Sequence, residues 1–125
     1  MVKTNAFFPF CIDWHDTKKR NPEQQAQMLK ELGYDGVGHI RLDNIPERLK
    51  ALDAVGPKLF QITMTVDITP GKPAHDPRFK ELMPLLKGRH VQFLLLISGM
   101  RPSDPAGDAQ AVEIIRDMAA IAAES

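Results

Sequence analysis

Four polar clusters, each following a short apolar run, hold most of the side chains in this sequence that could do chemistry. Asp13, Trp14 and His15 follow the first run, and His39, Arg41 and Asp43 close the second. Asp67 and His75 follow the third, Ser98 and Arg101 the fourth. Three histidines and several carboxylates on one rim suit a divalent cation or a polyol. An indole between a carboxylate and an imidazole suits a sugar ring stacked against it with its hydroxyls bonded at the edge. The plainer reading stands beside each of these: loop residues are polar because they are wet. Strand alternation would turn His39 toward helices, while His15 and His75 sit on long loops. No metal ligand is therefore assigned. Trp14, His39, Arg41 and Asp67 are the side chains expected to meet a substrate; no catalytic residue is expected among the described clusters.

Other motifs point away from chemistry. Cys11 is the only cysteine, so an intrachain disulfide and a cysteine-based zinc site are both excluded. It lies within an apolar run with no evident base partner and reads as a structural thiol. Phe8 and Phe10 read first as core. Gly36-Val37-Gly38 falls inside a run rather than at a helix start, so it is no phosphate-cradling loop. His90 precedes the fourth run, at the rim where residues serve stability. Sixteen acidic residues balance sixteen basic ones, so no field gathers nucleic acid or an anionic membrane. The one basic cluster, Lys18-Lys19-Arg20, reads as a solvated loop. The run Phe93–Ile97 is far shorter than the ~20 residues a membrane helix needs. The first residues show no basic-then-apolar signal, which points to the cytoplasm and leaves an exported form open.

Positioning these clusters is the task of a repeated element pair. The apolar runs are Ala6–Ile12, Val37–Ile40, Leu59–Val66 and Val91–Ile97. Each leads to a helix-start signal: Asn21-Pro22, Asn44-Ile45-Pro46-Glu47, Asp76-Pro77 and Asp104-Pro105. Gly33, Gly56 and Gly88 are placed to end the first three helices in a left-handed conformation. Gln24, three residues after Asn21, completes a possible capping box. Buried stripes are expected at Ala26, Met28, Leu29 and Leu32; at Ile45, Leu49 and Leu52; at Phe79, Leu82, Met83 and Leu86; and at Ile114, Ile115, Met118 and Ile121 or Ala122. The spacing of roughly thirty residues is that of a βα unit. In such folds ligands bind where strands end and helices begin.

The third run alternates Phe60, Ile62, Met64 and Val66 with Gln61, Thr63 and Thr65. An open three-layer sheet usually buries apolar side chains on both faces. A polar face favours a barrel interior, with a flavodoxin-like open sheet as the competing arrangement. Pro9 cannot donate to a ladder, so the first run belongs at an edge or carries a bulge.

Asn21-Pro22-Glu23-Gln24-Gln25-Ala26, followed by Leu29-Lys30-Glu31-Leu32-Gly33-Tyr34-Asp35-Gly36-Val37-Gly38, resembles the opening of sugar phosphate isomerase/epimerase proteins, members of the xylose isomerase-like TIM barrels. Leu52-Asp53-Ala54-Val55-Gly56-Pro57-Lys58-Leu59 is similar to the family's passage from second helix to third strand. The resemblance implies an α/β fold of four βα units spanning 1–125 as one domain, half of a TIM barrel. A complete barrel runs to ~250 residues. In the family, the divalent-metal ligands and proton-moving residues come mostly from the later strands. The resemblance therefore implies a substrate-side wall for a small carbohydrate, no cofactor held by this chain, and inactivity alone. Where the family often carries a glutamate at the end of the second strand, this sequence has Gly38. Open edge strands predict a homo-oligomer that pairs them and closes the barrel. A non-catalytic half-barrel scaffold is the alternative from another class. An endonuclease IV-like phosphodiesterase stands behind both, since it lacks a basic surface here.

Overall fold

The computed structural model describes residues 5–124, so the ends of the expected domain span lie outside the described residues. The element order is α1 (Pro22–Glu31), β1 (Gly36–Ile40), α2 (Ile45–Val55), β2 (Lys58–Asp67), α3 (Arg78–Leu86), β3 (Gln92–Ser98) and α4 (Pro105–Ala123). The fold is α/β: four helices and a three-stranded parallel sheet of order β1-β2-β3. The chain forms two compact units. One comprises residues 5–63 with Arg89–Leu94, the other Met64–Gly88 with residues 95–124.

In the first unit the helix signals act as the local chemistry dictates. Asn21 accepts from the Gln24 N–H at 2.8 Å, and the Gln24 side chain accepts from the Asn21 N–H at 3.0 Å. This closes a capping box over two orphan N–H groups, with Pro22 at the first helical position. Gly56 ends α2 at φ +110°, a conformation that a side chain would strain. Helices α1 and α2 pack on each other, burying Ala26, Leu29, Ile45, Leu49 and Leu52. Leu32, expected in the stripe of α1, is 65% exposed because it caps the helix rather than continuing it. Gln25 is the buried residue instead.

The strand expected over Ala6–Ile12 does not form. That segment lies against β1: the Asp35 N–H donates to the Phe7 carbonyl at 3.0 Å, and the Gly38 N–H donates to the Pro9 carbonyl at 2.9 Å. A ladder asks residue 9 to donate in return, and proline has no N–H. The rung is missing and the pairing stops. Close approach survives, because a Cβ on Gly38 would collide with the Phe10 carbonyl oxygen. That contact gives a physical reason for glycine at this position. Phe8 stacks on Phe60 with centroids 4.8 Å apart, but Phe10, read as core, is 51% exposed.

β2 pairs with β1 from Gly36↔Lys58 to Ile40↔Thr63, with a bulge that skips Phe60. Ile62, Met64 and Val66 are buried as the alternation requires. On the polar face Thr65 is exposed, but Thr63 is buried and its Oγ1 accepts from Gln61 Nε2 at 3.4 Å.

In the second unit Asp76 accepts from the Arg78 N–H just ahead of α3, whose N-cap is Pro77, and Asp104 caps α4 by accepting from the Ala106 N–H. Phe79, Leu82, Met83 and Leu86 are buried on α3, and Ile114 and Met118 on α4; these two helices pack together. Ile115, expected in the stripe of α4, is 40% exposed. It follows Ile114 by one residue, which turns it some 100° around the helix.

Candidate functional site

The turn from β1 to α2 is where the backbone is most unusual. Arg41 and Asn44 both take positive φ, +69° and +58°. Asparagine tolerates this conformation; arginine in it stores about 1–3 kcal/mol and persists only where the surroundings fix it. The Arg41 N–H donates to the Thr63 carbonyl at 2.8 Å, and the next side chain, Leu42, is buried. These contacts fix the turn. Arg41 then projects outward with its guanidinium 5.8 Å from the centroid of the Trp14 ring, within cation–π range.

Beneath that exposed pair lies a buried polar cluster. Arg48 follows Ile45 by three residues and precedes Leu52 by four, which places a guanidinium on the inward stripe of α2, 3% exposed. Its Nη2 donates to Asp13 Oδ1 at 2.5 Å and its Nε to His39 Nδ1 at 3.3 Å. Since Nδ1 accepts, the His39 proton sits on Nε2, which donates to the Asp43 carbonyl at 2.8 Å. Both ring nitrogens are engaged. Burial pushes the His39 pKa down, the Asp43 carbonyl pulls it back up, and the Arg48 charge lowers it further; the net direction is down. A neutral ring makes the 3.7 Å approach of Asp13 Oδ2 to Nδ1 a contact rather than an ion pair. The Asp13–Arg48 pair is the charged interaction here. Its Asp13 end reaches water, with a side chain 28% exposed.

Asp13, Trp14, His39, Arg41, Asp43 and Arg48 line one cavity of about 310 Å³, together with Arg20, Gln25 and Asn44. Three of the four expected substrate residues, Trp14, His39 and Arg41, thus come together. Trp14 is 64% exposed and presents an open ring face, whereas His39 sits under the cavity as a support for Arg48. Asp67 belongs to the second unit. Its carboxylate accepts from the Thr69 N–H and hydroxyl and pairs with Lys72. Lys72 first, then Thr69, hold its pKa at about 2.

His15 and Cys11 line a separate cavity of about 250 Å³. His75, in the second unit, lies 3.2 Å from both the Asp76 carbonyl and the Asp117 carboxylate. A larger cavity of about 560 Å³ opens beside Asp35 and Lys58, at the start of β1 and β2. Among the described residues the buried, mutually bonded polar cluster lies at the smaller cavity.

Among the described residues no three His, Cys, Asp or Glu side chains converge as a metal-holding group. His39 has no free nitrogen and Asp13 is committed to Arg48. A divalent metal therefore does not fit this cluster. What the cluster offers a ligand is an aromatic plate and an exposed cation above, a buried guanidinium and an amide below.

Arg48 and Gln25 were not visible as site residues in the apolar patterning, although a signal exists. Ile45, Arg48, Leu49 and Leu52, and likewise Pro22, Gln25, Ala26 and Leu29, follow the i, i+3, i+4, i+7 spacing of a buried stripe. In each set a polar residue occupies the i+3 place. Among the described residues no helix is long and apolar enough to cross a membrane. No protein-family model matches the chain, and neither the curated proteins nor the solved structures yield a match.

Proposed function

We propose that this chain is the N-terminal half of a sugar (phosphate) isomerase or epimerase of the xylose isomerase-like TIM-barrel group. It binds a small carbohydrate at the C-terminal end of β1 and does not carry out the proton transfer by itself. The observation that carries the reading is the convergence of Trp14, Arg41 and the Asp13–Arg48–His39 cluster on one cavity beside a parallel strand end. A ring face with guanidinium and carboxylate groups around it matches the amphipathic surface of a sugar, whose C–H faces stack while its hydroxyls bond sideways. The parallel β-α-β order supports the half-barrel form of this reading. The divalent metal of such an enzyme would come with residues of later strands, since the cluster here does not fit one.

Self-association belongs to the same reading. β3 is a sheet edge among the described residues, and Leu94, Leu96 and Ile97 on it are 39–50% exposed. An apolar edge of this kind is a template for another strand. A second copy of the chain pairing there would cover it. Leu96→Lys should then lower the mass observed by sedimentation at high concentration; a wild-type chain that stays monomeric there removes this part.

Trp14 is the chain's single tryptophan, so its fluorescence reports on the cavity directly. Titration with aldoses and ketoses should give a saturable change in emission, and the purified chain should show no isomerase or epimerase turnover. Calorimetry on Trp14→Ala should show the binding lost. Emission indifferent to every sugar, or turnover by the chain alone that survives Trp14→Ala, would overturn the reading.

A further inference from the structure

Arg48 acts on the Trp14–Arg41 cavity through one neighbour. Its side chain is buried, Nη2 and Nε are bonded to Asp13 and His39, and the remaining nitrogen, Nη1, is sealed from solvent. Asp13 is placed differently. Its side chain lines the cavity and reaches water, and Oδ1 alone takes the Arg48 bond. Oδ2 accepts no hydrogen bond among the described residues and approaches the neutral His39 ring without bonding it. That oxygen is an acceptor with both lone pairs to spare. It is also held still: Arg48 fixes the carboxylate, and His39, bonded to the Asp43 carbonyl, fixes Arg48.

The charges around the cavity balance. Arg20, Arg41 and Arg48 line it with Asp13 and Asp43, and Arg20 is taken up by Asp16 at 2.6 Å. Three guanidiniums thus meet three carboxylates, with His39 neutral. The start of α2 adds partial positive charge, since its N-cap Asn44 lines the cavity, and Glu47 in the first turn answers it.

We propose that the cavity takes an uncharged sugar, one of whose hydroxyls donates to Asp13 Oδ2 while the ring lies on Trp14, and that it disfavours the phosphorylated form. This deepens the carbohydrate reading and rests on it. A hydroxyl is the group that fits, because it donates to the carboxylate and brings no charge to a balanced site. An anionic group would face the Asp13 and Asp43 carboxylates. The exposed cation left to meet it is Arg41, already over the Trp14 ring and open to water. Pairing at such an exposed cation is weak. A hydroxyl donating to a fixed carboxylate is strong by comparison. Asp13 therefore reads the hydroxyls of the ligand, and Arg48 and His39 position it.

The test is a titration of the 125-residue chain with glucose and fructose, each against its 6-phosphate, followed by Trp14 emission and calorimetry. The better-bound neutral sugar should bind about fivefold tighter than its phosphate, the size of one like-charge contact at a surface. Raising the salt should narrow that gap by screening the repulsion and leave the affinity for the neutral sugar unchanged. Asp13→Asn should weaken the neutral sugar about tenfold and its phosphate less, because the variant loses a charged acceptor and leaves Arg48 as excess positive charge. A purely structural Asp13 would lower both affinities alike, and that result overturns the inference. So does a phosphate bound as tightly as its sugar by the wild-type chain, or a gap that salt does not move; the carbohydrate reading survives each of these. The wild-type ranking needs no variant, so it decides even if Asp13→Asn does not fold. Binding of none of the four overturns both.

Discussion

Two carboxylate–cation pairs in this protein invite comparison, one in each compact unit. Asp13 and Arg48 meet around a guanidinium that water hardly reaches, and His39 is locked onto the same group. Asp67 and Lys72 meet at the end of β2 with both side chains open to solvent, 33% and 55% exposed. The chemistry is similar and the surroundings are opposite. Removing one partner of a buried pair leaves an uncompensated charge in a poor solvent for it. Removing one partner of an exposed pair leaves a charge in water, where salt already screens it. Burial decides which pair the fold depends on.

The comparison is broken most sharply at Arg48. Arg48→Ala takes the donor from His39 Nδ1 and opens a hole in α2's buried face, while the Asp13 it leaves reaches water. It should destabilise the chain by about 2–4 kcal/mol through the lost packing and the unmet His39 nitrogen, read as a fall in the denaturant midpoint. Wild-type stability in this variant would mean that the guanidinium is not buried as described. Next in size is Gly38→Ala, which drives a methyl into the Phe10 carbonyl and should lose about 1–3 kcal/mol. The same variant should loosen the segment carrying Asp13 and Trp14, seen as faster exchange of the position-38 amide that donates to the Pro9 carbonyl.

A smaller effect comes from pH. His39 binds a proton less readily in the folded chain than its ordinary value allows, chiefly because it is buried. The unfolded chain therefore gains protons first as pH falls below about 6.5. Stability attributable to His39 is complete above that value and declines below it. Thermal melts between pH 7.5 and 5 should slope downward, and His39→Gln should flatten that slope. A wild-type melting temperature independent of pH in that window contradicts the buried, neutral ring.

Smallest of all is the exposed pair. Lys72→Ala should leave the melting temperature at pH 7 close to wild type, and high salt should erase whatever difference remains. The role of Asp67 shows only in acid. Its folded pKa of about 2 lies below the ordinary 3.8, so its contribution is present above 3.8 and disappears as pH falls toward 2. An effect of Lys72→Ala as large as that of Arg48→Ala would end the comparison.

Much of the architecture could be read locally. The Asn21–Gln24 box, Pro22, the Asp104 cap, the left-handed Gly56 and the stripe on α3 are each set by residues within two helical turns of one another. Turn chemistry and helical period act at that range, so the pattern of letters shows them. The first apolar run read as a strand and is only an extended neighbour of β1, because one missing N–H at Pro9 outweighed seven residues of favourable composition. The aromatic and cationic residues of the site, Trp14 and Arg41, stood out by type and place.

What stayed hidden is what contact alone creates. Arg48 and Asp13 are thirty-five residues apart, and nothing in either neighbourhood names the other. His39 looked like a rim residue until its two nitrogens were found spent on Asp43 and Arg48. By itself the sequence determined where helices begin and end, since caps and glycines are short-range devices. Only the tertiary structure decided which charges are cut off from water. A buried charge takes its energy from everything packed around it, and that surrounding is assembled from distant parts of the chain.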